Sequence, residues 1–153
     1  MKQVLNFING QHVASSRTFD KHSPVHGGVI AQVHEAGREQ VDAAVAAARA
    51  ALDGPWGQMS VAERVERLYA VADGINRRFE EFLAAECADT GKPRSLASHI
   101  DIPRGAANFK VFADVVKNVP TEYFEMATPD GRGAINYGYR SPGGGVGGIA
   151  PGH

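Results

Sequence analysis

The spacing of hydrophobic positions changes period twice along the 153-residue chain. In residues 4–13, VLNFINGQHV, two short apolar runs flank Asn9-Gly10. That dipeptide tolerates the positive φ angles of a tight type I′ turn, so the spacing predicts a β-hairpin. A Pro/Gly turn follows in SPVHGG at 23–28, and VIAQV at 29–33 alternates as a strand. After Gly37 the period becomes helical. Val41, Ala44, Val45, Ala48, Ala51 and Leu52 share one stripe, whose small residues predict close packing against a neighbour. GPWG at 54–57 ends that helix. Ser60 and Glu63 then form an S-x-x-E capping box before a second helix. Its buried face is predicted from Val61, Val65, Leu68, Tyr69, Ala72 and Ile75, with Arg64, Arg67, Arg77 and Arg78 outward.

Residues 79–118 are the centre of the pattern. Phe79, Phe82, Leu83, Glu86 and Cys87 fall at helical spacing, Gly91 offers a left-handed stop, and Pro93 forbids continuation. A longer helix follows, with Leu96, Ile100, Phe109, Phe112 and Val116 on its apolar side. Pro103 must kink this helix or start its second half. Beyond Pro120 the residues TEYFEMATPDGRGAINYGYRSP read as strand, turn and strand, with PDGRG as the turn. Strands at the start, a run of four helices and strands at the end predict an α/β fold.

Composition narrows the function classes. Sixteen Lys and Arg against seventeen Asp and Glu leave no net field to draw nucleic acid or an anionic membrane. The first residues lack the apolar run of a signal peptide, and no segment approaches transmembrane length. A single cysteine, Cys87, excludes an internal disulfide and fits a reducing cytoplasm.

Candidate chemistry is sparse. His22 and His26 are four apart, but Pro24 between them argues against a helix and no third ligand is near, so both read as turn histidines. Gly143-x-Gly145-x-x-Gly148 matches the dinucleotide fingerprint in letters alone. A fingerprint needs a strand before it and a helix after it, and here Pro151 follows. Cys87 lies in an apolar stripe without the electropositive setting of a nucleophile, so it reads as a packing residue. Arg104, bracketed by Asp101 and Asn108, sits on the more polar side of its helix. From the residues alone it is a solvated or surface-paired arginine.

A set of segments in order carries a resemblance: FINGQ at 7–11, EAGREQVDAAVAAARAAL, GPWGQMSVAER, DTGKP, ASHIDIPRGAANFKVFADVVKN and DGRGAINY. Together they resemble the aldehyde dehydrogenase superfamily, and within it most closely the 2-hydroxymuconic semialdehyde dehydrogenases of aromatic meta-cleavage pathways. Members are much longer than this chain, so the resemblance implies an amino-terminal piece. It implies that residues 1–120 hold the hairpin and the helical part of an NAD-binding domain. Residues 121–141 would begin the assembly strands of a homo-oligomer, and 142–153 would start the first strand of a truncated nucleotide sheet.

The resemblance also implies oxidation of an anionic semialdehyde by NAD, with the nucleophilic cysteine and glutamate base in the family's second half. Arg104 would then meet the substrate carboxylate, and Asp89 would lie near a monovalent-cation site. His153 stands where the family places its oxyanion-donating asparagine. Gly145 and Gly148 stand in place of valines, and Gly152 in place of tryptophan. Such a cluster of changes suggests reading errors at the end of a partial gene. The competing expectation, with no catalysis at all, is a helical interaction module acting through its apolar faces.

Overall fold

The computed structural model describes residues 1–149. Asn9 and Gly10 adopt φ of 49° and 78°, and this turn joins β2 (Asn6–Ile8) to β3 (Gln11–Val13) as the expected antiparallel hairpin. Beside it lies a three-stranded sheet that the alternation only partly announced. β5 (Val29–His34) is its centre, with β1 (Lys2–Val4) parallel on one side and β4 (Thr18–His22) antiparallel on the other. The strand β1 is three exposed residues long, so no local pattern marks it. Pairing with Ala31–Val33, far along the chain, creates it.

The Ser23–Gly28 turn closes β4 onto β5. Ser23 is buried, its N–H donates to the Gly28 carbonyl at 2.8 Å, and its Oγ accepts from Val25 N at 3.2 Å. Both histidines bond to backbone of this turn. Gly28 N donates to His26 Nδ1 at 3.1 Å, and His22 Nδ1 lies 2.9 Å from the Gly27 carbonyl.

Helix α1 (Arg38–Asp53) begins at Gly37, whose N–H donates to Gln40 Oε1 at 2.9 Å. GPWG does more than stop it, since Pro55–Gln58 forms a helical turn of its own, α2. Gly57 is obligatory there: a Cβ would lie 1.7 Å from the Leu52 carbonyl oxygen. The capping box opens α3 (Val61–Arg77) as expected. Glu63 N donates to Ser60 Oγ at 3.2 Å, and Ser60 N to Glu63 Oε2 at 2.8 Å. Arg64 departs from the expected solvated face. Its guanidinium donates to the Trp56 and Gly57 carbonyls at 3.3 and 3.2 Å and lies over the Trp56 ring, which ties α2 to α3.

Helix α4 (Phe79–Thr90) ends where Gly91 takes φ 71°, with its N–H donating to the Cys87 carbonyl at 3.0 Å. The longer helix expected after Pro93, which Pro103 was to kink or to divide, is divided into α5 (Arg94–His99) and α6 (Asp101–Lys117), with the break at Ile100. Pro103 therefore sits in the first turn of α6, where a missing N–H leaves no intrahelical bond unmade.

The apolar side expected for this helix is also corrected. Leu96, Ile100, Phe109, Phe112 and Val116 are exposed, and Ile102, Ala106 and Ala113 face the interior of an α3–α6 pair whose own buried residues are Val65 and Ala72. Alanines on both helices let the backbones approach closely, so small residues form this seam and the aromatics lie outside it. Leu83, Ala97 and Ile102 form the adjoining core, with Ile75, Phe79 and Cys87 packed on it.

β6 (Tyr123–Met126) and β7 (Ala134–Tyr137) pair antiparallel around the expected turn, where Gly131 and Gly133 have φ of 72° and 74°. Residues 141–149 form neither strand nor helix, so the expected nucleotide-sheet strand is not formed among the described residues. The glycines instead approach the alanine stripe of α1. Gly144 has φ 79° and its absent Cβ would lie 2.7 Å from Leu52 Cδ1, while that of Gly145 would meet Ala48 at 3.8 Å. The close packing expected of the α1 stripe is met only there: Val41, Ala44, Val45 and Ala51 are exposed, and no residue of the helix is buried among the described residues.

Candidate functional site

The DTGKP motif builds the frame on which the candidate residues sit. Thr90 Oγ1 donates to the Glu86 carbonyl at 2.8 Å and accepts from Lys92 N at 3.2 Å, which closes the end of α4. Lys92 then crosses to the next long helix: its Nζ donates to Asp101 Oδ2 at 2.7 Å, with Glu86 Oε1 at 3.9 Å. The hydrogen bond to Asp101 raises the Lys92 pKa above the ordinary lysine value, against a smaller opposing effect of desolvation. Asp101 is the first residue of α6, so this pair anchors the end of the helix from which Arg104 projects one turn later. Sequence reasoning passed over Lys92, although its place between a helix stop and a proline marks a junction.

Arg104 is exposed on α6, and no described carboxylate lies within ion-pair distance of it. Of the two roles left open by its residue type, the surface ion pair is thus not formed among the described residues. Asn108 and Phe112 follow Arg104 at successive turns of the same helix. With Leu68 of α3 and Phe109 they line an apolar groove of about 260 Å³. A guanidinium one turn along the helix from an apolar groove suits an anion carried on a short carbon chain, because it offers paired donors that a carboxylate can accept together.

The other candidates do not converge on Arg104. Asp89 is exposed and paired with Lys21 Nζ at 3.0 Å, which ties α4 to β4. Among the described residues no group of three or more His, Cys, Asp or Glu could hold a metal ion, and the Asp89 carboxylate is already paired with Lys21. Cys87 is half-buried against Leu83, Ala97 and Ile102, in the packing position expected of it. Gly143, Gly145 and Gly148 have no strand before them and no described helix after them. These residues form no dinucleotide cradle. His153, expected at the oxyanion position, lies outside the described residues.

Comparison with known proteins bears on the whole chain. The sequence profile of the aldehyde dehydrogenase family matches residues 12–151. The chain belongs to the aldehyde dehydrogenase family. It is 70% identical over 153 residues to the 2-hydroxymuconic semialdehyde dehydrogenase of Pseudomonas sp. (strain CF600), covering 99% of this chain and 32% of that protein. It is 50% identical to a 2-aminomuconic 6-semialdehyde dehydrogenase of Pseudomonas sp., covering 99% of this chain and 31% of that one. An NAD+ complex of aldehyde dehydrogenase from Bacillus cereus superposes with a TM-score of 0.76 at 34% identity, over 89% of this chain and 28% of that structure.

This aldehyde dehydrogenase chain thus spans about a third of the length of the curated relatives it matches. Its mixed α/β architecture matches the amino-terminal part of aldehyde dehydrogenase structures. Among the described residues no helix is long and apolar enough to cross a membrane.

Proposed function

We propose that this chain is the amino-terminal part of an NAD-dependent dehydrogenase that oxidises 2-hydroxymuconic semialdehyde, or a close carboxylated semialdehyde, to the acid. Arg104 is the residue that receives the carboxylate of the substrate. The observation that carries this reading is the placement of Arg104: exposed, without a carboxylate partner among the described residues, and one turn from an apolar groove on the same helix. The 70% identity to a dehydrogenase of that substrate supports the choice of semialdehyde.

The roles of the residues follow from their chemistry. The Lys92–Asp101 pair holds the start of α6, and Pro103 limits the backbone just before Arg104. The guanidinium orients an anionic substrate by two parallel hydrogen bonds, leaving the aldehyde end free to reach a nucleophile. That nucleophile and its base come from outside these residues, because the one thiol, Cys87, is packed into the helical core. NAD supplies the hydride acceptor when bound. In the same reading residues 1–120 contribute to the NAD-binding domain, 121–141 to the assembly strands of a homo-oligomer, and 142–153 to the nucleotide sheet.

The test is a chimera in which residues 1–141 replace the matching segment of the full-length Pseudomonas sp. (strain CF600) relative. NADH formation from 2-hydroxymuconic semialdehyde is expected. Arg104→Ala in the chimera should raise KM for that substrate by roughly tenfold or more, since a charged hydrogen bond contributes about 1.5–3 kcal/mol. A neutral aldehyde of similar length should be affected little. Equal losses on both substrates would show that Arg104 supports the helix rather than the substrate. The 153-residue polypeptide alone should form no NADH above a blank, and steady turnover by it would overturn the assignment of the nucleophile.

A further inference from the structure

The residue one turn beyond Arg104 is polar in an otherwise apolar setting. Asn108 is exposed, and its side-chain amide has no hydrogen-bond partner among the described residues. Around it the groove is lined by Leu68, Phe109 and Phe112, none of which can recognise a polar group. Side chains four apart on a helix have Cβ atoms about 5–6 Å apart. A guanidinium and an amide at that spacing can therefore meet two polar groups on neighbouring carbons of one small molecule. The proposed substrate has such a pair, a carboxylate and the 2-substituent on the adjoining carbon.

Resting on the proposed function, we infer that Asn108 is a second substrate-binding residue, taking the 2-hydroxyl group while Arg104 holds the carboxylate. The amide suits this task because it both donates and accepts. Its Nδ2–H can donate a hydrogen bond to the hydroxyl oxygen, and its Oδ1 can accept one from the hydroxyl O–H. An amino group at the same carbon would also be accepted by Oδ1. One residue thus serves both a 2-hydroxy and a 2-amino substrate, and it gives no advantage to a semialdehyde bare at that carbon.

The experiment uses the chimera with 2-hydroxymuconic semialdehyde and with the corresponding semialdehyde lacking the 2-substituent. Asn108→Leu, close in size and without polar atoms, is expected to raise KM three- to tenfold for the hydroxylated substrate, the range of a neutral hydrogen bond. KM for the bare substrate should stay within twofold, with kcat unchanged for both. Asn108→Gln keeps the amide and should recover part of the loss, which also covers the case in which leucine disturbs the helix. Equal rises on the two substrates, or no rise on either, would overturn the role of Asn108. The Arg104→Ala arm separates the two claims. If it weakens both carboxylated substrates while Asn108→Leu fails to distinguish them, the inference falls and the proposed function stands. If Arg104→Ala changes neither, the proposed function falls and takes the inference with it.

Discussion

Gly91 is where the end of α4 meets the Ser23–Gly28 turn, and replacing it by alanine separates two physical effects. The first is conformational. At φ 71° an L-residue suffers about 1–2 kcal/mol of strain, partly offset by the roughly 0.4–1 kcal/mol that alanine gains by restricting the unfolded chain. The second is steric. A Cβ at Gly91 would stand 2.9 Å from Pro24 Cγ and 3.3 Å from Val25 Cγ2, so a proline ring held in a hydrogen-bonded turn must move. Such overpacking typically costs about 1–3 kcal/mol. Gly10 is the matched control, because it has φ 78° with no atom within 4 Å of its absent Cβ. Gly10→Ala is therefore expected to destabilise by at most about 1.5 kcal/mol, and Gly91→Ala by about 1–3 kcal/mol more than Gly10→Ala. Urea denaturation with m held common to the variants measures both, and the double variant Gly91→Ala/Pro24→Ala should recover part of the larger loss. Equal destabilisation at the two glycines, with no coupling to Pro24, would refute the close approach of turn and helix end.

Three further outcomes are expected. Ser60→Ala should lower stability by about 1 kcal/mol through loss of the α3 cap, as read from the urea midpoint. Hydrogen bonds from Ser60 hold the Glu63 carboxyl below its ordinary pKa, so the contribution of this box is present near neutral pH. It is lost as pH falls below about 4, through the depressed folded-state value, and helix content by circular dichroism should fall there more in wild type than in Glu63→Gln. Lys92 behaves in the opposite sense. Asp101 raises its pKa, so its contribution is full at neutral pH and disappears as pH rises above about 10.4, through the raised folded-state value. The melting temperature of Lys92→Met should therefore lie below wild type at pH 7 and approach it at strongly alkaline pH. Finally, Phe112 is 66% exposed among other exposed apolar residues of α6, so the chain should bind a hydrophobic dye and Phe112→Ser should reduce that binding.

Local chemistry was enough to settle the short-range features. Asn9-Gly10 determines its hairpin because few residue pairs tolerate two successive positive φ angles, and the structure has both. Ser60 and Glu63 determine the start of α3 by satisfying each other's N–H groups, and Gly91 followed by Pro93 determines the end of α4. The order of the quoted segments carried the family and the α/β fold, now matched over residues 12–151.

What pairs with what was decided by tertiary structure. β1 exists because β5 offers it a partner across the chain. Helical spacing allows two apolar faces on the 94–117 stretch, and packing against α3 selected the alanine face, because small side chains permit the closest approach of two helices and the aromatics do not. With that face inward, helical geometry places Arg104 and Asn108 on the opposite, open side. A sequence states which residues can carry a charge or fill a core. Only the packed chain decides which of them meet, because the free energy of each contact depends on a neighbour that no local pattern names.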